Sequence, residues 1–341
     1  MAYTTINKST SYFNTKLYSG NGSSNAQTGV GFQPDLFWCK SRSNAENHTL
    51  IDAVRGVGYG IGSNTSAVQY SGTNFGSFDS DGFTWSGNLG SGNENGQNYV
   101  AWNWKANGAG SANSDGSQSS TVSVNTTAGF SIVKFVNNTS STTNTFGHGL
   151  GAVPKVIMMR SLDDAYNWDV HHHKIAISKR LVLNSNAAQA NSTYMNSTSP
   201  TNQVFTVKSD EFGSNSNCIA YCFAEKTGYS KFGSYAGNAS AEGPFIYTGF
   251  APSFIIIKSI AQNHWMMRDN KRPGYNPNFN KLFPDRDVAE NTDTSNQMDF
   301  LSNGFKLKAS NTEQNGSSTT YIYMAFGQSL VGTNNIPVTA R

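Results

Sequence analysis

Half of the six histidines fall in one run, Asp169-Val-His171-His-His173. On a strand, alternate residues share a face, so His171 and His173 could join Asp169 as ligands of a transition metal. One strand supplies too few ligands unaided. A polar strand end or a contact between chains accounts for the run as well, and the expectation is that no metal binds. Asp79-Ser-Asp81-Gly82 opens like a calcium loop, yet Gly90 stands where an EF-hand requires its twelfth, acidic ligand. Leu301-Ser-Asn303-Gly304 occupies the matching place further on. Asp-Gly and Asn-Gly both favour hairpin turns, so a turn explains both segments and calcium only one. Gly56-Val-Gly-Tyr-Gly-Ile-Gly62 lacks the Lys-Ser or Lys-Thr and the following helix of a phosphate-binding loop, and reads as a glycine-rich edge. Asp163-Asp164 and Asp285 with Asp287 are the residue types of glycoside hydrolysis, but sequence spacing does not set their separation in space. No Ser-His-Asp or Cys-His arrangement stands out. The expectation is a chain that is not an enzyme and uses no cofactor.

Binding is the better use of these residues. Arg268-Asp-Asn-Lys-Arg-Pro-Gly-Tyr-Asn-Pro277 reads as the longest loop. Its Arg268, Lys271, Arg272 and Tyr275, with Trp168 elsewhere, are the binding candidates. Aromatic side chains offer contact area, and Asn and Ser offer adaptable hydrogen bonds. An ordinary solvated loop is the plain alternative.

Composition narrows the elements that could hold such loops. The 341 residues include 33 glycines, 12% aromatic and only 13% charged side chains, and Gly, Ser, Thr and Asn together far outnumber the charged ones. That excludes a coiled coil or helical bundle and suits short strands joined by many turns. The net charge of +3 is too mild to argue for nucleic acid. Apolar runs such as Phe254-Ile-Ile-Ile257 are far shorter than a membrane span, and the first residues lack a secretory signal's apolar core. Three cysteines make no disulfide framework; Cys218 and Cys222 on one strand would stand about 13 Å apart, too far to bridge. These features fit a protein made in a reducing compartment.

The chain also repeats itself. Pro34-Asp-Leu-Phe-Trp-Cys-Lys-Ser41, Pro154-Lys-Val-Ile-Met-Met-Arg-Ser161 and Pro252-Ser-Phe-Ile-Ile-Ile-Lys-Ser259 share a proline, an apolar run, a base and a serine, with His48, Trp168 and Trp265 a little later. Tyr99–Trp104, Cys218–Phe223 and Tyr321–Phe326 close the copies 65, 64 and 69 residues after each proline. Phe83, Phe205 and Phe305 precede those closing segments by 16, 13 and 16 residues. The proline segments read as buried central strands, with proline at the start where its missing N–H costs nothing. Each Lys/Arg-Ser pair reads as the solvated end of such a strand. Leu50–Arg55 could form a helical turn or two.

A period of roughly 100 residues fits a self-contained β-domain rather than a solenoid unit. The expected architecture is therefore all-β: three tandem β-sandwich, jelly-roll-like modules. Module one spans 1–107, a Gly/Ser-rich linker 108–120, module two 121–226 and module three 227–329, with a tail at 330–341. The linker predicts a more independent module one, and the missing spacer at 227 predicts firm docking of modules two and three.

Several segments carry a family resemblance: Met1-Ala-Tyr-Thr-Thr-Ile-Asn-Lys-Ser9, Thr28-Gly-Val-Gly-Phe-Gln-Pro-Asp35, Tyr99–Lys105, Gly147-His-Gly-Leu-Gly-Ala-Val-Pro154, Ile219–Lys226, Tyr229-Ser-Lys-Phe-Gly-Ser-Tyr235 and Pro337-Val-Thr-Ala-Arg341. Together they resemble virion proteins of tailed phages, widespread in marine phages including those of cyanobacteria. The resemblance covers nearly the whole chain and brings no catalytic residues with it. It implies a non-enzymatic structural protein, made in the host cytoplasm and displayed on the virion surface as a fibre or spike component. Its partners would be other virion proteins, further copies of itself (a trimer is the guess, as in many fibres) and a host surface glycan or receptor. A decoration or connector protein binding only virion proteins is one alternative, and a polysaccharide depolymerase is another.

Overall fold

The computed structural model describes residues 3–138, 141–209 and 211–333; residues 334–341 of the expected 330–341 tail, with its Pro337–Arg341 motif, lie outside them. The class is all-β, and the only α-helix among the described residues is the four-residue Thr312–Asn315. Leu50–Arg55 is not helical. Thr49–Asp52 forms a strand, because every one of its side chains is buried beside Leu36–Ser41.

One strand order recurs. Phe13–Ser19, Asn98–Trp104, Leu36–Ser41 and Thr49–Asp52 form an antiparallel sheet in that spatial order. Ser230–Ala236, Thr320–Gln328, Ala251–Ser259 and Met266–Asp269 repeat it. Phe130–Asn137, Ser216–Phe223, Val156–Ser161 and Asp169–His172 repeat it again inside an eight-stranded sheet. The closing segments read from the sequence are thus central strands, flanked on one side by the proline-led ones. Pro34, Pro154 and Pro252 are all buried at or near the start of those strands. Pro252 sits at an irregularity in the pairing, where a missing donor is tolerated.

Each large sheet carries a smaller antiparallel sheet on one face: Asn25–Thr28, Gly82–Trp85 and Phe75–Asp79; Thr143–Gly147 with Val204–Lys208; and Phe245–Tyr247, Gly304–Leu307 and Met298–Leu301. Alternation along the central strands divides their side chains. Tyr99 and Ala101, Cys218, Ala220 and Cys222, and Tyr321, Tyr323 and Ala325 turn to their own small sheet. Val100, Trp102 and Trp104, Ile219, Tyr221 and Phe223, and Ile322, Met324 and Phe326 turn the other way into one shared core. Both faces of each large sheet are therefore buried, which is why the proline segments have no polar side.

That shared core corrects the expected independence of the first repeat. Trp104, Phe223 and Phe326 hold equivalent register positions, and their rings meet at centroid distances of 6.4, 5.9 and 5.9 Å. The three repeats surround this point as a closed ring. Gln69 donates its backbone N–H to Leu162 O, Gln189 to Ile260 O and Glu290 to Arg42 O, so each repeat hands one bond to the next. The Gly/Ser-rich 108–120 stretch is likewise pinned. Ser111–Asn113 pairs with Ser120–Asn125, and Ser117 and Gln118 bond to Thr145. Backbone pairing has overridden a composition that by itself reads as flexible.

Candidate functional site

Arg268 does not lie in the loop. It sits in the Met266–Asp269 strand, 1% exposed, where its guanidinium donates to the carbonyls of Asn278 and Asn296. Burial, with the Arg272 charge nearby, lowers its pKa to about 9. Arg272 is also buried. It pairs with Asp269 at 2.7 Å and with Glu290 at 3.0 Å, and donates to Met267 O. Trp168 is fully buried, donating its indole N–H to Gly62 O at 2.7 Å and stacking on Tyr221. All three candidates are buried, and the hydrogen bonds they make go to neighbouring backbone and carboxylates.

Lys271 and Tyr275 remain on the surface. Tyr275 is 66% exposed, the most exposed of the large apolar or aromatic side chains among the described residues. Arg268 and Arg272 hold the ends of the loop that carries them, and Asn276 clips its tip to Phe300 by a reciprocal pair of bonds of 2.8 and 3.0 Å. The loop borders a cleft of about 500 Å³ between the first and third repeats. Lys271, Tyr275, Asn276, Phe300 and Gln328 line it from the third repeat and Asn14 from the first. An exposed phenol ring beside an ammonium that has no ion-pair partner among the described residues makes a surface suited to a polyhydroxylated ligand.

The remaining polar clusters serve the fold. Asp169 accepts both of its bonds from Arg180, at 3.0 and 2.9 Å, while burial raises its pKa to about 7. His171 is buried against the small sheet's side, with burial lowering its pKa to about 4. His173 Nε2 donates to Phe232 O at 2.6 Å. The three do not converge, and no group of three His, Cys, Asp or Glu side chains suited to a metal occurs among the described residues. Asp79 accepts from Ser77 and Thr84, and Asp81 from the N–H groups of Gly29 and Gly31, within a two-residue turn. Asp163 and Asp164 accept from Asn217 and Ser216, and Asp285 from His264 and Trp265. Cys39, Cys218 and Cys222 are free and buried.

The Lys/Arg-Ser pairs are buried, not solvated. Lys40 donates to Ser41 O and Asn44 O, and Lys258 to Ser259 O and Ala261 O, with burial lowering both ammonium pKa values to about 8. Arg160 reaches Ser161 O in its own repeat and Thr65, Ser66 and Ala67 O in the first.

Sequence reading missed a second set of linked positions. Asp52, His172 and Asp269 occupy one register position in the three repeats. Asp52 accepts from Tyr221 OH of the second repeat, and Asp269 from Trp102 Nε1 of the first. His172 Nε2 donates to Tyr323 O of the third. The signal was present as Asp-x-x-Arg at 52–55 and 269–272, but its second copy lacks both charges.

Residues 8–329 match the family described as Domain of unknown function (DUF7483). The chain belongs to that family. Comparison with curated proteins and with solved structures gives no match.

Proposed function

We propose that this member of the family is a non-enzymatic virion protein, displayed as a fibre or spike component and contacting a host surface glycan through the Tyr275 cleft. The observation that carries the glycan reading is the exposed Tyr275 ring beside Lys271 at the mouth of this cleft. The sequence resemblance to tailed-phage virion proteins supports the setting. Recurrence of one strand order supports three modules descended from one duplicated sheet pair.

A glycan array probed with the intact chain and with Tyr275→Ala tests this reading. Host-envelope glycans bind the parent, and the variant binds at least about tenfold more weakly, equivalent to about 1.4 kcal/mol. Unchanged binding by the variant overturns the cleft assignment. Absence of binding to any envelope glycan favours a decoration or connector role. The trimer expectation belongs to the same reading, and light scattering of the purified protein decides it.

A further inference from the structure

The seam between the second and third repeats holds a second cleft, of about 530 Å³, related by register to the one below Tyr275. Gln328 in the first cleft and Glu225 in the second each lie two residues beyond the axial phenylalanine of their strand. The chemistry of the two differs. Lys155 and Lys231 both line the second cleft, and neither forms an ion pair among the described residues. The Lys231 ammonium stands 5.5 Å from the centroid of the Tyr247 ring, which is 54% exposed. The acid beside them, Glu225, accepts the Phe232 N–H at 2.7 Å. Tyr3 closes one side, its hydroxyl bonded to Gly249 O at 2.9 Å.

We propose that this second cleft binds an anionic saccharide, the sugar ring against Tyr247 and its carboxylate or phosphate between Lys155 and Lys231. Two ammonium groups lining one cleft, neither ion-paired among the described residues, favour a negative group, and an exposed ring beside Lys231 favours a pyranose face over a free ion. The site stands apart from the Tyr275 cleft, so each can fail alone.

Calorimetric titration of the intact chain tests it with three probes: tetragalacturonate, its methyl ester and glucose 1-phosphate. At least one anionic probe binds, and where tetragalacturonate binds, its uncharged ester binds at least tenfold more weakly. The double variant Lys155→Gln, Lys231→Gln loses that binding at unchanged melting temperature, whereas Tyr275→Ala retains it. Tyr247→Ala, which keeps both ammonium groups, weakens it as well. Binding by tetragalacturonate alone identifies a carboxylate ligand, and by glucose 1-phosphate alone a phosphate ligand. Failure of both anionic probes, tetragalacturonate and its ester binding with equal measurable affinity, or loss in Tyr275→Ala overturns the proposal.

Discussion

At the scale of single residues, the buried cations hold the seams between repeats. Arg160 is the clearest case, because three of its four carbonyl partners lie in another repeat. A lysine carries one ammonium on a flexible stem and cannot span that set, although lysine suffices at positions 40 and 258, where the partners are local. Arg160→Lys therefore destabilises by about 2–3 kcal/mol in urea unfolding, since buried carbonyls lose their donors. The histidines set the response to acid. Burial lowers the pKa of His48, His148, His171, His172 and His173, reaching about 4 for His171 and about 3 for His172. The unfolded chain takes up protons near the ordinary value of about 6.5, so stability present above that pH is lost as pH falls. Asp169 acts oppositely. With its pKa raised to about 7, it adds stability as pH falls from there toward about 4. Five depressed groups outweigh one raised one, and the melting temperature drops between pH 7 and pH 5. His172→Asn, which keeps a donor for Tyr323 O, flattens that dependence by up to about 1.4 kcal/mol per pH unit.

At the scale of elements, the small sheets depend on close approach of backbones. Gly82, at φ +154°, would place an added methyl 1.9 Å from Gln27 O, and its counterpart Gly304 would place one 2.2 Å from Ile246 O. No side chain fits without parting the strands. Gly82→Ala accordingly costs about 2 kcal/mol or more in denaturant unfolding, whereas Gly58→Ala, with open space around it, is neutral or slightly stabilising. The loop of Lys271 and Tyr275 is an element of the same kind. Its presentation depends on Arg268 and Arg272 beneath it, so changes at those arginines lower stability together with cleft binding, while Tyr275→Ala touches binding alone.

At the scale of the whole molecule, the shared core makes the repeats one cooperative unit. Trp38, Trp102 and Trp104 are at most 2% exposed and belong to a cluster drawn from all three repeats. Scanning calorimetry of the intact chain shows a single transition whose van't Hoff and calorimetric enthalpies agree. A fragment of residues 1–107 leaves that tryptophan face open to water and is unfolded by circular dichroism. Two separated transitions, or a folded fragment, would contradict the common core. The seams are unequal. Glu290 bridges Arg42 at 2.8 Å and Arg272 at 3.0 Å where the third repeat meets the first, whereas Gln69 and Gln189 stand at the corresponding positions of the other seams.

The order of elements was legible in the chain because it depends on local pattern. A proline before an apolar run sets a buried strand, and Asp-Gly or Asn-Gly sets a turn, whatever surrounds them. The all-β class, the recurring central strands and the exposed Tyr275 loop follow from such signals. Which face of a strand meets which neighbour is a matter of contacts between residues a hundred or more positions apart, and no local pattern encodes it. Trp168 reads as a binding residue until Gly62 is seen to accept its N–H, and Arg268 and Arg272 read as a basic loop until Asn278 and Asp269 enclose them. Tertiary structure alone closed the ring, turned a linker into an edge strand, and separated the side chains that hold the seams from those left on the surface.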